Sequence, residues 1–211
     1  MANIITVSRL PVLIVTILLL GSASPLARLV GAGLIIVLIA MDSIDGIVAR
    51  KRCEISLMGS VLDIMVDRAV ELVMWVWLAH LELISVAIPI IVILRGTIVD
   101  SLRGIHVRDG QAPFDSQHTR LGTWLVKSPM MRTGYALAKC IAFTGLALAH
   151  ALYAFAERGA VSSGAAESVH AVSWGVAWLA TAFCLARGLP VIIEHWPALF
   201  ASQRSNREAQ P

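Results

Sequence analysis

The chain has 211 residues, of which 57% are hydrophobic and 15% charged, with a net charge of +3 and a mean hydropathy of +0.77. That balance lies far beyond an ordinary soluble domain and leaves a polytopic membrane protein as the class. Cys53, Cys140 and Cys184 are scattered without a C-x-x-C pair, which argues against a disulfide framework or a thiolate metal site. Nothing in the chain combines basic and aromatic residues as a nucleic-acid module does.

Apolar runs recur at lengths that suit bilayer-crossing helices. In chain order they predict six spans: Thr6–Gly21, Leu29–Arg50, Ser56–Ala79, Leu83–His106, Pro129–Ala156 and Val169–Ile193. The fold class expected is therefore all-α, a six-helix transmembrane bundle over residues 1–201, with residues 202–211 as a disordered cytoplasmic tail. The first run imitates a signal peptide, ending in Gly21-Ser22-Ala23, but Arg9 and Pro11 interrupt it. Lys51-Arg52-Cys53-Glu54-Ile55 is short and polar, so the second and third spans are antiparallel neighbours. The long polar segment from Val107 to Ser128 is either a lid or a connector, and the Gly/Ser/Ala-rich stretch Glu157–Ser168 reads as linker.

Basic residues set the orientation. With the amino terminus in the cytoplasm, the inner side receives Arg9, Arg50, Lys51, Arg52, Arg103, Arg108, Arg120, Lys127, Arg132, Arg187, Arg204 and Arg207. The outer loops keep Arg28 and Arg158. Both termini are then cytoplasmic.

Four aspartates dominate the chemistry. Asp42 and Asp45 share one helical face, and Asp63 and Asp67 another. Gly46, Ala49 and Gly59 fall on those faces and leave room beside the backbone. Asp42 and Asp67 each lie about 12 Å in from a helix end, so the carboxylates of the two spans can converge. Each intramembrane charge costs about 2.5–3.5 kcal/mol at mid-bilayer, and carboxylates brought together repel. Arg50 and Arg68 are available to neutralise them, but a pair of divalent ions does so better. An oxygen-only ligand set suits Mg²⁺ or Mn²⁺.

D-x-x-D-G-x-x-A-R, eight residues, then G-x-x-x-D-x-x-x-D resembles the signature of the CDP-alcohol phosphotransferases, also called CDP-alcohol phosphatidyltransferases. Asp42, Asp45, Gly46, Ala49, Arg50, Gly59, Asp63 and Asp67 occupy its positions. The resemblance implies that the four aspartates hold two Mg²⁺ or Mn²⁺ ions. It implies that Gly46, Ala49, Arg50 and Gly59 shape a pocket for CDP-diacylglycerol, and that Asp67 is also the base that deprotonates the acceptor hydroxyl. CMP is the product that leaves. It further implies a homodimer.

A phosphorylated acceptor needs a second basic site. Arg95 and Arg103 lie on the fourth span, Arg132 and Lys139 share a face of the fifth, and Arg187 is on the sixth. Arg103, Arg132, Lys139 and Arg187 are the expected acceptor-phosphate ligands. Asn3, Thr6 and Arg9 resemble the opening of phosphatidylglycerophosphate synthases, which makes glycerol 3-phosphate the first acceptor. Phosphatidylinositol-phosphate synthases share the core, so an inositol phosphate is the alternative. A divalent-cation transporter is the reading from another class. It requires polar groups through the outer half of the bundle, where Val30–Ala40 and Leu72–Leu78 are apolar apart from glycines. The six tryptophans read mostly as belt or lipid-facing residues, His80 and His150 as interfacial, and Gly31 and Gly33 as close-packing positions.

Overall fold

The structure is a computed structural model. It describes the backbone of residues 2–52, 57–108 and 128–208, and their side chains except at 2, 43–52, 57, 60, 102–108, 129 and 194–208. The described residues are all-helical, with α1 (Ala2–Leu20), α2 (Pro25–Arg52), α3 (Leu57–His80), α4 (Ala87–Arg108), α5 (Pro129–Ala156) and α6 (Ser163–Glu208). Each expected span has its helix. α6 continues through residues 202–208, where the sequence suggested a tail outside the 1–201 domain.

Among the described residues, four helices contain stretches long and apolar enough to cross a bilayer: Asn3–Leu20, Pro25–Asp42, Met130–Ala156 and Ser163–Ile193. α3 is long enough, but Asp63, Asp67, Arg68 and Glu71 lower its apolar character. The charges that mark the candidate site are the same ones that weaken the membrane signal.

Local sequence explains the helix ends. α2 and α5 both begin with proline after serine, so proline's missing N–H falls where no intrahelical partner exists. The Ser24 and Ser128 carbonyls accept the first helical bonds, from the N–H groups of Arg28 and Arg132. α5 closes on Gly159 at φ 73°, with the N–H groups of Gly159 and Ala160 bonded to the carbonyls of Ala156 and Phe155. α3 closes in the same way around Glu82 at φ 59°, a position where glycine is usual.

Two compact units are present. The first comprises Met1–Pro89 and Ala138–Trp178, and the second Ile90–Leu137 and Leu179–Pro211. In the first unit α1 packs on both α2 and α3. Its buried face runs Thr6, Arg9, Leu13, Thr16 and Leu20, a helical stripe with a charge near one end. The opposite face exposes Ile4, Ile14 and Leu18. Ala32, Ile35 and Leu38 form the buried stripe of α2, and Asp42 continues it by one turn. Trp75 is fully buried and meets Phe143 edge to face at 4.7 Å. It is therefore a core residue, unlike the belt role expected for most of the tryptophans.

Polar side chains cover the carbonyls where α1 turns into α2. His150 reaches the Leu20 carbonyl at 3.1 Å, and the Arg28 Nε–H donates to the Ser22 carbonyl at 2.8 Å. His170 does the same for the Leu83 carbonyl at 2.9 Å. Such caps replace the water that an apolar surrounding denies to backbone groups.

Small residues set the closest helix approaches. A Cβ at Gly31 would press on Leu19 and Leu20, whereas one at Gly33 meets open space, so only the first is a packing glycine. At Gly145 a Cβ would fall on the Ser173 side chain, whose hydroxyl donates to the Val169 carbonyl at 2.7 Å. Gly145→Val should destabilise the protein by about 1–3 kcal/mol through overpacking. Melting of the purified protein measures this, with Gly33→Ala unchanged and Ser173→Gly partly restoring Gly145→Val.

Candidate active site

Asp42 comes from α2, Asp63 and Asp67 from α3, and one carboxylate oxygen from each lies within 4.8 Å of the others. The helical repeat brings this about. Asp63, Asp67 and Glu71 stand one turn apart on α3, and below them the same face becomes Met74, Trp75 and Leu78. Apolar packing at one end of the stripe thus sets the register of the carboxylates at the other. Asp45, Gly46, Ala49 and Arg50 lie on α2, with side chains outside the described residues. Gly59 is in the first turn of α3, half-buried.

Among the described residues, Arg9 is a cation that meets these aspartates. Its Nη1 is 2.7 Å from Asp42 Oδ1, 2.8 Å from Asp67 Oδ1 and 4.0 Å from Asp63 Oδ1. The Arg9 side chain is only 4% exposed, while Asp42, Asp63 and Asp67 are 40%, 49% and 48% exposed. The guanidinium is thus buried while the carboxylates it contacts keep part of their exposure. The sequence offered Arg50 and Arg68 as available cations, with a pair of divalent ions as the better neutraliser, and did not single out Arg9 for this role; the Arg50 side chain lies outside the described residues. The usable signal was the buried face of α1, on which an arginine interrupts a stripe of apolar residues and threonines.

Arg68 belongs to a second network. Its Nη1 lies 3.5 Å from Glu71, and Lys139 Nζ on α5 lies 3.2 Å from the same carboxylate. Glu71 is 7% exposed and was missed in the sequence, because a single glutamate one turn below a recognised aspartate carries no motif of its own. Lys139 lies in the first unit against Glu71, whereas Arg132 and Arg187 lie in the second.

In the second unit Arg187 lies 6.0 Å from the centre of the Tyr135 ring and within electrostatic reach of Arg95 and Arg132. Arg95 crosses α6 at Gly188, where a Cβ would collide with its Nε and Cγ. The Nε atoms of Arg95 and Arg187 are buried without a hydrogen-bond partner among the described residues. Buried donors without acceptors are costly, so clustered arginines in this state favour an anion. Arg103 is on α4, with its side chain outside the described residues.

The three aspartates pass the chemical test for a hard divalent cation. The donors are all oxygen, they come from two helices, and they converge within one cation's reach. Glu71 and Lys139 have a structural role that can be measured separately. Glu71→Ala should cost about 3 kcal/mol or more, since it leaves two cations beside an emptied buried position. Adding Lys139→Met should recover part of that loss in thermal unfolding; strictly additive losses would show that the pair is not coupled.

Comparison with curated proteins returns no match. The family profile described as CDP-alcohol phosphatidyltransferase matches residues 1–186. The matched range takes in Arg9, both aspartate pairs, the Glu71 network and all of α5. With the motif, the convergent carboxylates and this match together, the chain belongs to the CDP-alcohol phosphatidyltransferase family and is a transferase acting between a CDP-linked alcohol and an acceptor alcohol.

Proposed function

We propose that the protein transfers a phosphatidyl group from CDP-diacylglycerol to the hydroxyl of a small phosphorylated alcohol, with release of CMP. Glycerol 3-phosphate is the first acceptor, giving phosphatidylglycerophosphate. The observation that carries this reading is the convergence of Asp42, Asp63 and Asp67 in a chain that carries the whole family motif.

In this reading Asp42, Asp45, Asp63 and Asp67 hold two Mg²⁺ or Mn²⁺ ions. When bound, such ions supply positive charge to the diphosphate and to the departing CMP. Gly46, Ala49 and Gly59 leave space for the nucleotide against the helices, and Arg50 supplies charge to its phosphates. The acceptor oxygen attacks the phosphorus that bears diacylglycerol. The bond from that phosphorus to the CMP oxygen breaks, and the hydroxyl proton passes to Asp67.

Arg132 and Arg187, with Arg95 beside them, orient the acceptor through its phosphate. The two buried Nε–H groups support an anionic acceptor over serine or choline. Arg103 and Lys139 complete the proposed phosphate set, with Glu71 holding Lys139 in place.

The same reading makes residues 1–201 one catalytic membrane domain of six spans, α3 and α4 being the two whose charges serve the site. The lysine and arginine asymmetry supports a cytoplasmic active site and cytoplasmic termini. The family pattern supports a homodimer, for which exposed apolar faces such as Ile4, Ile14 and Leu18 offer surface.

Purified protein given CDP-diacylglycerol, Mn²⁺ and a panel of acceptors should release CMP with one phosphorylated alcohol. Asp67→Asn should lower turnover by about 10²–10⁴-fold while donor binding is kept. No CMP with any acceptor defeats the transferase chemistry proposed here, and an Asp67→Asn enzyme at full rate defeats the base assignment. Arg187→Ala should raise the acceptor KM far more than the donor KM. Equal changes in both would show that Arg187 serves the fold rather than the acceptor.

A further inference from the structure

Arg9 occupies the space between carboxylates where a shared cation would be bound. Its Nη1 is in contact with Asp42 Oδ1 and Asp67 Oδ1 and stands near Asp63 Oδ1. These are the three residues whose oxygens converge within 4.8 Å. Hard cations take oxygen ligands at about 2.0–2.6 Å, so they demand the lone pairs that now face Nη1. Two positive centres held by the same oxygens also repel strongly in a partly dehydrated site.

Arg9 has no easy way to yield. Guanidinium does not lose its proton in proteins, so the positive charge stays. The side chain is buried on the face of α1 that also buries Thr6, Leu13 and Thr16, which anchors its stem between α2 and α3. An exposed arginine would find a carboxylate by chance and gain little from it. This one has exchanged nearly all of its water for Asp42 and Asp67, on two different helices.

We propose that Arg9 is the resident counter-ion of the aspartate cluster and competes with the divalent cation for Asp42 and Asp67. Cation entry is then coupled to release of a charge carried by α1. Before the cation arrives, Arg9 holds the carboxylates of α2 and α3 together despite their repulsion. This inference rests on the reading that these aspartates bind a divalent cation.

The test uses the full chain in nanodiscs with Mn²⁺ as the probe, free ion being followed by its paramagnetic resonance signal. Arg9→Gln removes the competing charge and should bind Mn²⁺ about tenfold more tightly than the unchanged protein. Arg9→Lys keeps the charge and should stay close to it. In metal-free buffer Arg9→Gln should melt earlier, and Mn²⁺ should raise its melting temperature by more than it raises that of the unchanged protein. Equal or weaker Mn²⁺ binding by Arg9→Gln overturns the competition. If neither form binds Mn²⁺, the cation-site reading fails, and the competition with it. The counter-ion assignment is then judged in metal-free buffer alone, where Asp42→Asn added to Arg9→Gln should restore stability. Simple addition of the two losses overturns it.

Discussion

Carboxylates gathered in an apolar bundle repel one another and lose their water, so some cation has to accompany them. Here α1 brings that cation to α2 and α3. The contacts of Arg9 with Asp42 and Asp67 join all three helices at one point, and the first unit is organised around it. Burial of Leu13, Thr16 and Leu20 along the rest of α1 fixes the rotation that aims Arg9 inward. Ala32, Ile35 and Leu38 do the same for Asp42 on α2. Apolar packing thus does the positioning, and the charges specify the registry in which packing occurs.

The α3 face shows how a largely apolar helix can carry several charges. Its four charged groups are each matched: Asp63 and Asp67 by Arg9, Arg68 and Glu71 by one another, and Glu71 again by Lys139. Pairing lowers the cost of charge in low dielectric, and the aspartates still remain 40–49% exposed. The Glu71 network lies one turn further along α3 and ties that helix to α5 through Lys139. The arginines of the second unit have a different balance. Among the described residues, the Nε–H groups of Arg95 and Arg187 are buried without a hydrogen-bond partner, a state that favours an anion beside them.

Small side chains matter wherever helices meet polar groups. Gly188 lets Arg95 pass, and Gly145 leaves space for the Ser173 hydroxyl. A methyl group at either place would meet a side chain that already has a fixed role. Glycine here serves close approach rather than backbone freedom, since both positions lie in regular helix.

The amino-acid order by itself determined the helical class, the locations of the six helices and the aspartate motif. Each of these depends on local periodicity: apolar runs of bilayer length, and acidic residues three or four apart that must share a face. Close-packing at Gly31 was legible for the same reason. Tertiary structure alone decided which charges pair. Arg9 is far from Asp42 and Asp67 along the chain, and no spacing rule links an arginine on one helix to carboxylates on two others. Lys139 could be placed on a helical face with Arg132, but only packing against α3 shows that its neighbour is the buried Glu71. Trp75 had the composition of a belt residue and became core because Phe143 covers it. Periodicity states which residues a helix turns the same way; the packed neighbours decide what that face meets.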